Sequence, residues 1–176
     1  GGLKLVLRSR PSLAGVEAPN GLRGSVLVIG FGRVGQIASQ FLFARGHDVS
    51  IIDTDVEMIE AARDFGFKVY YGDGARLDIL HSAGAEHVKA IVVCVDNFEA
   101  ATRIVEIVKA EFAHVPVLAR ANDRRHAISL INAGADFQIR ETFESALQLG
   151  ARALATLGAT TDEINVVKDL VGKGDE

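Results

Sequence analysis

Glycines and acidic residues at the ends of apolar runs are the residues whose types and spacing could do chemistry in this chain. Gly30, Gly32 and Gly35 follow the apolar run 26–29 in the spacing GxGxxG. The first glycine permits a tight turn, the second lets a diphosphate approach the backbone, and the third lets the next helix pack on the strand. The N–H groups of that helix would face the phosphate. The pattern predicts a nucleotide site, with a purely structural glycine turn as the alternative.

A carboxylate stands where such a site needs one. Asp53 ends the second apolar run and lies 18 residues after Gly35, close to the roughly 20 that the fingerprint expects. It could accept both ribose hydroxyls and would repel a 2′-phosphate, which favours AMP or NAD(H) over NADP. Asp55 competes for this role, but its position suits a helix cap better.

Further polar residues follow later strands. In the turn after the third strand, Gly72 and Gly74 would let backbone approach a base, and Asp73 would accept from an exocyclic amine or simply form a turn. Arg33 in the glycine loop and Arg120 at the end of the fifth strand could neutralise a phosphate, or could be ordinary surface charges.

The sequence offers no catalytic set and no metal-ligand spacing. Tyr70 and Tyr71 are followed four positions on by Gly74 and Ala75, not by the lysine of short-chain dehydrogenases. Cys94 lies in an apolar run and is interpreted as a core residue rather than a nucleophile. The histidines show no metal spacing with cysteines or acids. A nucleotide site without such chemistry indicates sensing rather than catalysis.

The elements that position these residues alternate strictly between apolar strands and amphipathic helices. This order predicts an α/β fold, a doubly wound, Rossmann-like, six-stranded parallel sheet with helices on both faces. The predicted strands are 26–29, 49–52, 68–71, 90–95, 117–121 and 137–139. Helical spacing predicts inward-facing side chains on the first two helices, namely Val34, Ile37, Ala38, Phe41 and Leu42, then Met58, Ile59, Ala62 and Phe65. Ala127, Leu130 and Ile131 mark the fifth helix.

Composition limits the class of protein. The 176 residues are 48% apolar with a formal charge of -4, typical of a single globular domain and not of a nucleic-acid-binding protein. A single cysteine fits a reducing compartment. Residues 1–24 are basic and interrupted by prolines, so we expect a linker from an upstream, membrane-embedded domain, followed by a nucleotide-binding domain over 25–142. We expect a helical extension over 143–176, whose small residues would pack on the chain's own sheet or on a twin subunit.

Four segments resemble a known family. They are Gly30–Gln36 (GFGRVGQ), Tyr71–Gly74, Ala119–Ala121 and Arg140–Glu144 (RETFE). Together they are similar to the cytoplasmic KTN, or RCK (TrkA-N type), regulatory domain of the glutathione-regulated Kef potassium efflux antiporters. The resemblance spans about residues 25–158, and the last segment is the most specific.

The resemblance implies a set of site residues. The family's nucleotide site maps onto Gly30, Phe31, Gly32, Arg33, Val34, Gly35, Asp53, Thr54, Asp73, Gly74, Val95 and Arg120. Its glutathione and regulatory positions map onto Phe65, Arg140 and Glu141. The sequence departs from the family in two places: Gln40 stands where gated members carry a second arginine, and the tail after Gly158 does not match the family's further helix.

The resemblance also implies a function. The chain would be a non-enzymatic domain that binds AMP or NAD(H), forms a homodimer and gates a potassium/proton antiporter. It would lie at the cytoplasmic face of the inner or plasma membrane, attached to an upstream transmembrane domain of the same chain. Glutathione would be a regulator, and a flavoprotein an ancillary partner. A small NAD-dependent oxidoreductase and a constitutive structural dimer with an empty cleft are the alternatives.

Overall fold

The structure, a computed structural model, describes residues 15–174; the beginning of the predicted linker, residues 1–14, lies outside the described residues. Within 15–174, strands and helices alternate as the sequence predicts. The strands are β1 (Val26–Ile29), β2 (Val49–Asp53), β3 (Tyr70–Tyr71), β4 (Ala90–Val93), β5 (Val117–Ala121) and β6 (Phe137–Arg140). The helices are α1 (Arg33–Ala44), α2 (Val56–Asp64), α3 (Leu77–Ser82), α4 (Phe98–Glu111), α5 (Arg124–Ala133), α6 (Glu141–Thr156) and α7 (Thr161–Gly174).

The six strands form one parallel sheet in the order β3-β2-β1-β4-β5-β6. β1 is central and pairs with β2 on one side and β4 on the other, Val26 facing both Val49 and Ala90. The strand order runs outward in both directions from β1, so a crevice opens at the carboxyl ends of β1 and β4. The predicted six-stranded doubly wound sheet is confirmed.

Two apolar cores lie on opposite faces of the sheet. Successive side chains of a strand point to opposite faces, so Leu27 and Ile29 enter one core while Val26 and Val28 enter the other. The larger core is closed by α3, α4 and α5, and the smaller by α1 and α2. The glycine loop after β1 is therefore attached to a strand that is buried on both faces.

The predicted inner face of α1 is wrong at two positions. Ile37 and Phe41 are 56% and 73% exposed, whereas the buried residues of this helix are Gly35 and Ser39. A small residue lets the helix backbone come close to the sheet, and that close approach fixes the rotation of the helix about its axis. The large apolar residues two positions away then point outward.

The predicted inward orientation of Phe65 is also wrong. Phe65 is 76% exposed because it lies just past the last residue of α2, where the chain leaves the helical path. Ile131 is 54% exposed on α5, where Ala127 and Leu130 alone of the three residues that mark this helix are buried.

Residues 15–24, expected to be part of a loosely held linker, instead lie against the domain. The carbonyl oxygen of Glu17 accepts the N–H of Tyr71 in β3 (2.7 Å). The N–H of Leu22 donates to the carbonyl oxygen of Ser82 (3.1 Å). Side-chain contacts add to these bonds, since the ammonium of Lys68 lies 3.0 Å from the Glu17 carboxylate. This docked arm connects the outer strand β3 to the end of α3.

α6 and α7 form a helical hairpin beside the sheet. α7 begins with a capping box, in which Thr160 and Glu163 each accept the backbone N–H of the other (3.2 and 3.1 Å). An apolar groove of about 430 Å³ lies between the two helices and includes Phe143, Leu154 and Val171. None of the helices within 15–174 combines the length and apolar character that crossing a membrane requires.

Candidate functional site

A polar cleft of about 310 Å³ opens at the carboxyl ends of the central strands. Its walls are the turns that follow four neighbouring strands, and the first turns of the helices beyond them. The lining residues are Ile29, Gly30, Gly32, Ile52, Asp53, Thr54, Asp55, Met58, Gly72, Asp73, Gly74, Cys94, Val95, Asp96, Asn97, Ala100 and Ile104. The cleft therefore lies where a doubly wound sheet places its ligand.

The glycine loop has the geometry that its sequence predicts. Gly30 has φ +101°, and a Cβ there would lie 2.8 Å from the carbonyl carbon of Cys94. A Cβ on Gly35 would overlap the carbonyl oxygen of Gly30. Both positions therefore require glycine, the first for its backbone angle and the second for close packing of α1 on the loop.

Gly32 differs from its two neighbours because the space beside it is open. A Cβ built on Gly32 meets no atom within 4 Å. Gly32 is the N-cap of α1, no side chain caps this end, and the first turn carries no acidic residue. The free N–H groups and the positive end of the helix dipole are thus available to an anion in the cleft.

Asp53 holds the loop together and still has acceptor capacity toward the cleft. Its Oδ2 accepts the N–H of Phe31 (2.7 Å), and its Oδ1 accepts the N–H of Asp55 (2.8 Å). Each carboxylate oxygen has a second lone pair, so hydroxyl groups of a ribose could still bind. Asp55 accepts the N–H of Met58 (3.2 Å) and caps α2 as predicted.

The turn after β3 lines the cleft, and its two glycines are closely packed. A Cβ on Gly72 would lie 2.8 Å from the Ile79 side chain, and one on Gly74 would lie 2.7 Å from Ile29. A side chain at either position would thus point into the protein, so packing requires glycine here. Asp73 accepts the N–H of Ala75 (2.9 Å) while lining the cleft.

The end of β4 supplies the wall opposite Asp53. Cys94 is 4% exposed, and burial raises the pKa of its thiol to about 12. The thiol is therefore protonated at neutral pH, as expected for a core cysteine. Asn97 accepts the N–H of Ala100 (2.8 Å) and caps α4, while Val95 lines the cleft.

Arg33 and Arg120 lie beside the cleft, and Glu141 joins them. Oε1 of Glu141 accepts from Nε of Arg33 (3.1 Å), and Oε2 accepts from Nε of Arg120 (2.9 Å). Burial raises the pKa of the Glu141 carboxyl, but the hydrogen bonds and charges of both arginines outweigh that effect, and the net shift is downward. This three-residue cluster, the Glu141 bridge, connects the glycine loop, the end of β5 and the start of α6.

The remaining predicted residues are not brought together in the cleft. Phe31 is 2% exposed and packs its ring on Phe67 (5.2 Å between centroids), while Val34 is half-buried in the first turn of α1. Phe65 lies at the far end of α2, and the guanidinium of Arg140 stacks on Phe143 (3.9 Å) at the start of α6.

Sequence reasoning missed the apolar part of the lining. Met58 and Ala100 reach the cleft from the first turns of α2 and α4, and Ile104 reaches it from the second turn of α4. Their only signal is their position three to seven residues after a helix cap, which is shared by ordinary core residues. Among the described residues that line the cleft, four are aspartates and none is basic.

Comparison with known proteins identifies the family. A model of the TrkA-N domain family matches residues 26–141. The chain is 48% identical over 137 residues to a glutathione-regulated potassium-efflux system protein of Haemophilus influenzae. It is 43% identical over 145 residues to the glutathione-regulated potassium-efflux system protein KefC of Salmonella arizonae. These matches cover 78% and 82% of this chain but 22% and 23% of the relatives, so the chain spans about a fifth of their length.

A solved structure supports the same assignment. The AMP-bound CTD of Kef from Shewanella denitrificans has a TM-score of 0.74 and 37% identity, over 85% of this chain and 91% of that one. The parallel sheet, the glycine loop and the family match agree with the predicted resemblance. The chain therefore belongs to the TrkA-N domain family.

Proposed function

We propose that the chain is the nucleotide-binding regulatory domain of a Kef-type potassium/proton antiporter and that AMP is its ligand. One observation carries the proposal: the uncapped N-terminus of α1 and the Asp53 carboxylate face the same cleft. Together they offer N–H donors to a phosphate and acceptors to a ribose. The AMP-bound relative at 37% identity supports this ligand; NAD(H) contains the same adenylate group.

The four aspartates of the cleft support the choice among nucleotides. A 2′-phosphate near Asp53 would meet like charge, which disfavours NADP. Regulation requires that the nucleotide bind two states of the antiporter with different affinity.

The proposal extends to the partners. α6 and α7 leave Leu149, Leu157 and Leu170 exposed by 74%, 84% and 65%, which suits a homodimer formed through these helices. The arm 15–24 would follow the antiporter's membrane domain, placing the domain at the cytoplasmic face. The proposal also includes glutathione as a regulator that binds near Arg140, and a flavoprotein as an ancillary subunit.

Thermal unfolding with and without AMP tests this function. We expect millimolar AMP to raise the melting temperature, because a ligand that binds only the folded state stabilises it. Asp53→Asn should lose most of the rise. Asp55→Asn is the matched control: it removes one charge from the same cleft and keeps the α2 cap, since asparagine caps as well as aspartate.

The control and the ligand series decide the outcome. Absence of a shift with AMP, NAD or NADH would refute the nucleotide proposal, and an equal loss in both variants would refute the role of Asp53. The same series with glutathione tests the regulatory part separately. A shift that Arg140→Ala removes would support it, and the absence of any shift would confine the domain to nucleotide sensing.

A further inference from the structure

We propose that the docked arm, residues 15–24, positions one wall of the nucleotide cleft, so that nucleotide binding and docking of the arm stabilise each other. The inference deepens the proposed function and rests on it. It makes positioning residues of Glu17, Pro19 and Leu22, which do not themselves line the cleft.

The wall in question is the turn 72–74, all three residues of which line the cleft. This turn follows β3, which is two residues long, lies at the outside of the sheet and pairs with β2 alone. On the sheet side, the N–H of Gly72 donates to the carbonyl oxygen of Asp53 (3.0 Å). A segment with so little sheet around it opens readily unless something packs on its other side.

The arm supplies the contacts on that other side. Neighbouring N–H groups of a strand point in opposite directions, so Gly72 donates toward β2 while Tyr71 donates outward, to the carbonyl oxygen of Glu17 (2.7 Å). The buried Pro19 continues the contact, since its Cδ lies 3.5 Å from where a Cβ of Gly72 would stand. The turn is thus held between the sheet and the arm.

The arm is also anchored at both of its ends. The N–H of Leu22 donates to the carbonyl oxygen of Ser82 at the end of α3 (3.1 Å). Gly84, with φ +87°, lets the arm come close, because a Cβ there would overlap the carbonyl oxygen of Leu22. At the other end, the guanidinium of Arg63 donates to the carbonyl oxygen of Gly15. The contacts with the cleft wall lie between these two anchors.

A nucleotide that contacts the turn 72–74 therefore favours the position of the turn in which the arm is seated. By linkage, the seated arm raises the affinity for the nucleotide by the same factor. In the proposed function the arm follows the antiporter's membrane domain. Occupancy of the cleft would then determine how firmly the domain holds the chain that enters it.

Titration of AMP into the full chain, followed by calorimetry, tests the inference. Gly84→Ala adds a methyl group that displaces the Leu22 carbonyl, and we expect the dissociation constant of AMP to rise about fivefold or more, from the lower end of known couplings upward. Gly46→Ala is the matched control. Gly46 follows the end of α1 at φ +81°, and a Cβ there meets no atom within 4 Å. The control carries the same backbone strain without touching the arm, so the AMP affinity should stay unchanged.

Amide hydrogen exchange measures the coupling from the opposite side. Saturating AMP should slow exchange of the Leu22 amide in the unaltered chain by at least the factor by which Gly84→Ala weakens AMP binding. The His47 amide, which donates to the carbonyl oxygen of Leu42 (3.1 Å) just past α1, is the reference and should change less. Equal slowing of both amides would overturn the inference, because AMP would then stabilise the whole fold and not the arm.

Two further pairs of variants keep the test decisive. Should Gly84→Ala fail to fold, Gly84→Asn and Gly46→Asn replace the first pair, because asparagine tolerates a left-handed backbone better while adding the same Cβ. Pro19→Ala removes most of the ring beside Gly72 and should also weaken AMP binding. Its control is Pro116→Ala at an exposed proline before β5, which should leave the affinity unchanged.

The outcomes separate this inference from the proposed function. Failure of the unaltered chain to bind AMP would refute the nucleotide site and this inference with it. AMP binding that is equally tight in the unaltered chain and in folded Gly84 and Pro19 variants would overturn this inference alone. Equal weakening by Gly84→Ala and Gly46→Ala would overturn it too, since strain at any helix end and not the arm would then lower the affinity.

Discussion

Gly32 and Gly35, three residues apart in the same loop, should respond in opposite ways to the same added methyl group. At Gly32 the backbone has φ -76° and the space beside it is open. At Gly35 the methyl group would overlap the Gly30 carbonyl oxygen, well inside the 3.0 Å that real Cβ contacts keep. Alanine is therefore compatible with the fold at the first position and incompatible at the second.

The magnitudes follow from these environments. Gly32→Ala loses about 0.5–1 kcal/mol of N-cap preference and regains about 0.4–1 kcal/mol because the unfolded chain has less freedom. The free energy of unfolding should stay nearly constant. Gly35→Ala forces α1 away from the loop, which costs about 3 kcal/mol or more, the upper range of overpacking. For a chain of this size that lowers the melting temperature by roughly 6–12 °C.

Ligand binding should separate the two variants a second time. The methyl group of Gly32→Ala would occupy the open space through which a phosphate reaches the N–H groups of α1. Loss of one hydrogen bond to a charged group costs about 1.5–3 kcal/mol, so the dissociation constant for AMP should rise roughly 10- to 100-fold. Scanning calorimetry and titration with AMP measure both effects. Unchanged AMP affinity in Gly32→Ala, or unchanged stability in Gly35→Ala, would refute the reasoning.

Two other predictions concern buried titratable groups. Burial raises the pKa of the Cys94 thiol to about 12. At pH 8 the native chain should therefore react with a thiol reagent far more slowly than the unfolded chain. Equal rates measured with and without denaturant would contradict this prediction. His126 is fully buried, and burial lowers its pKa below 6.5 despite the nearby Asp123. The unfolded state therefore binds more protons, and stability should fall as the pH drops from 6.5 to 5; His126→Gln should show a shallower fall in denaturant titrations, and an unchanged slope would point to other groups.

The sheet could be predicted from the sequence because each strand and helix carries its own local signal. The apolar run 26–29 before GxGxxG fixes β1 and the start of α1, and Asp55 is a cap that the structure confirms. Alternation of strands and helices then limits the topology to a doubly wound sheet. These signals lie within a few residues of the features that they determine.

Features that depend on distant residues could not be predicted. Arg33 and Glu141 are separated by 108 positions, and neither residue type indicates a partner. The inward face of α1 was misassigned because Gly35 and Ser39 set its rotation by close approach, which apolar periodicity does not report. The capping box of Thr160 and Glu163 was a local signal for α7 that sequence reasoning overlooked.

The docked arm, residues 15–24, affects whether another chain can pair with the outer strand β3. β3 is the outermost strand on its side of the sheet, and an outermost strand offers unpaired backbone groups to any neighbouring chain. The carbonyl oxygen of Glu17 accepts the N–H of Tyr71. The buried Pro19, which has no N–H of its own, lies beside Gly72. The arm therefore covers this edge of the sheet and disfavours its extension by another molecule.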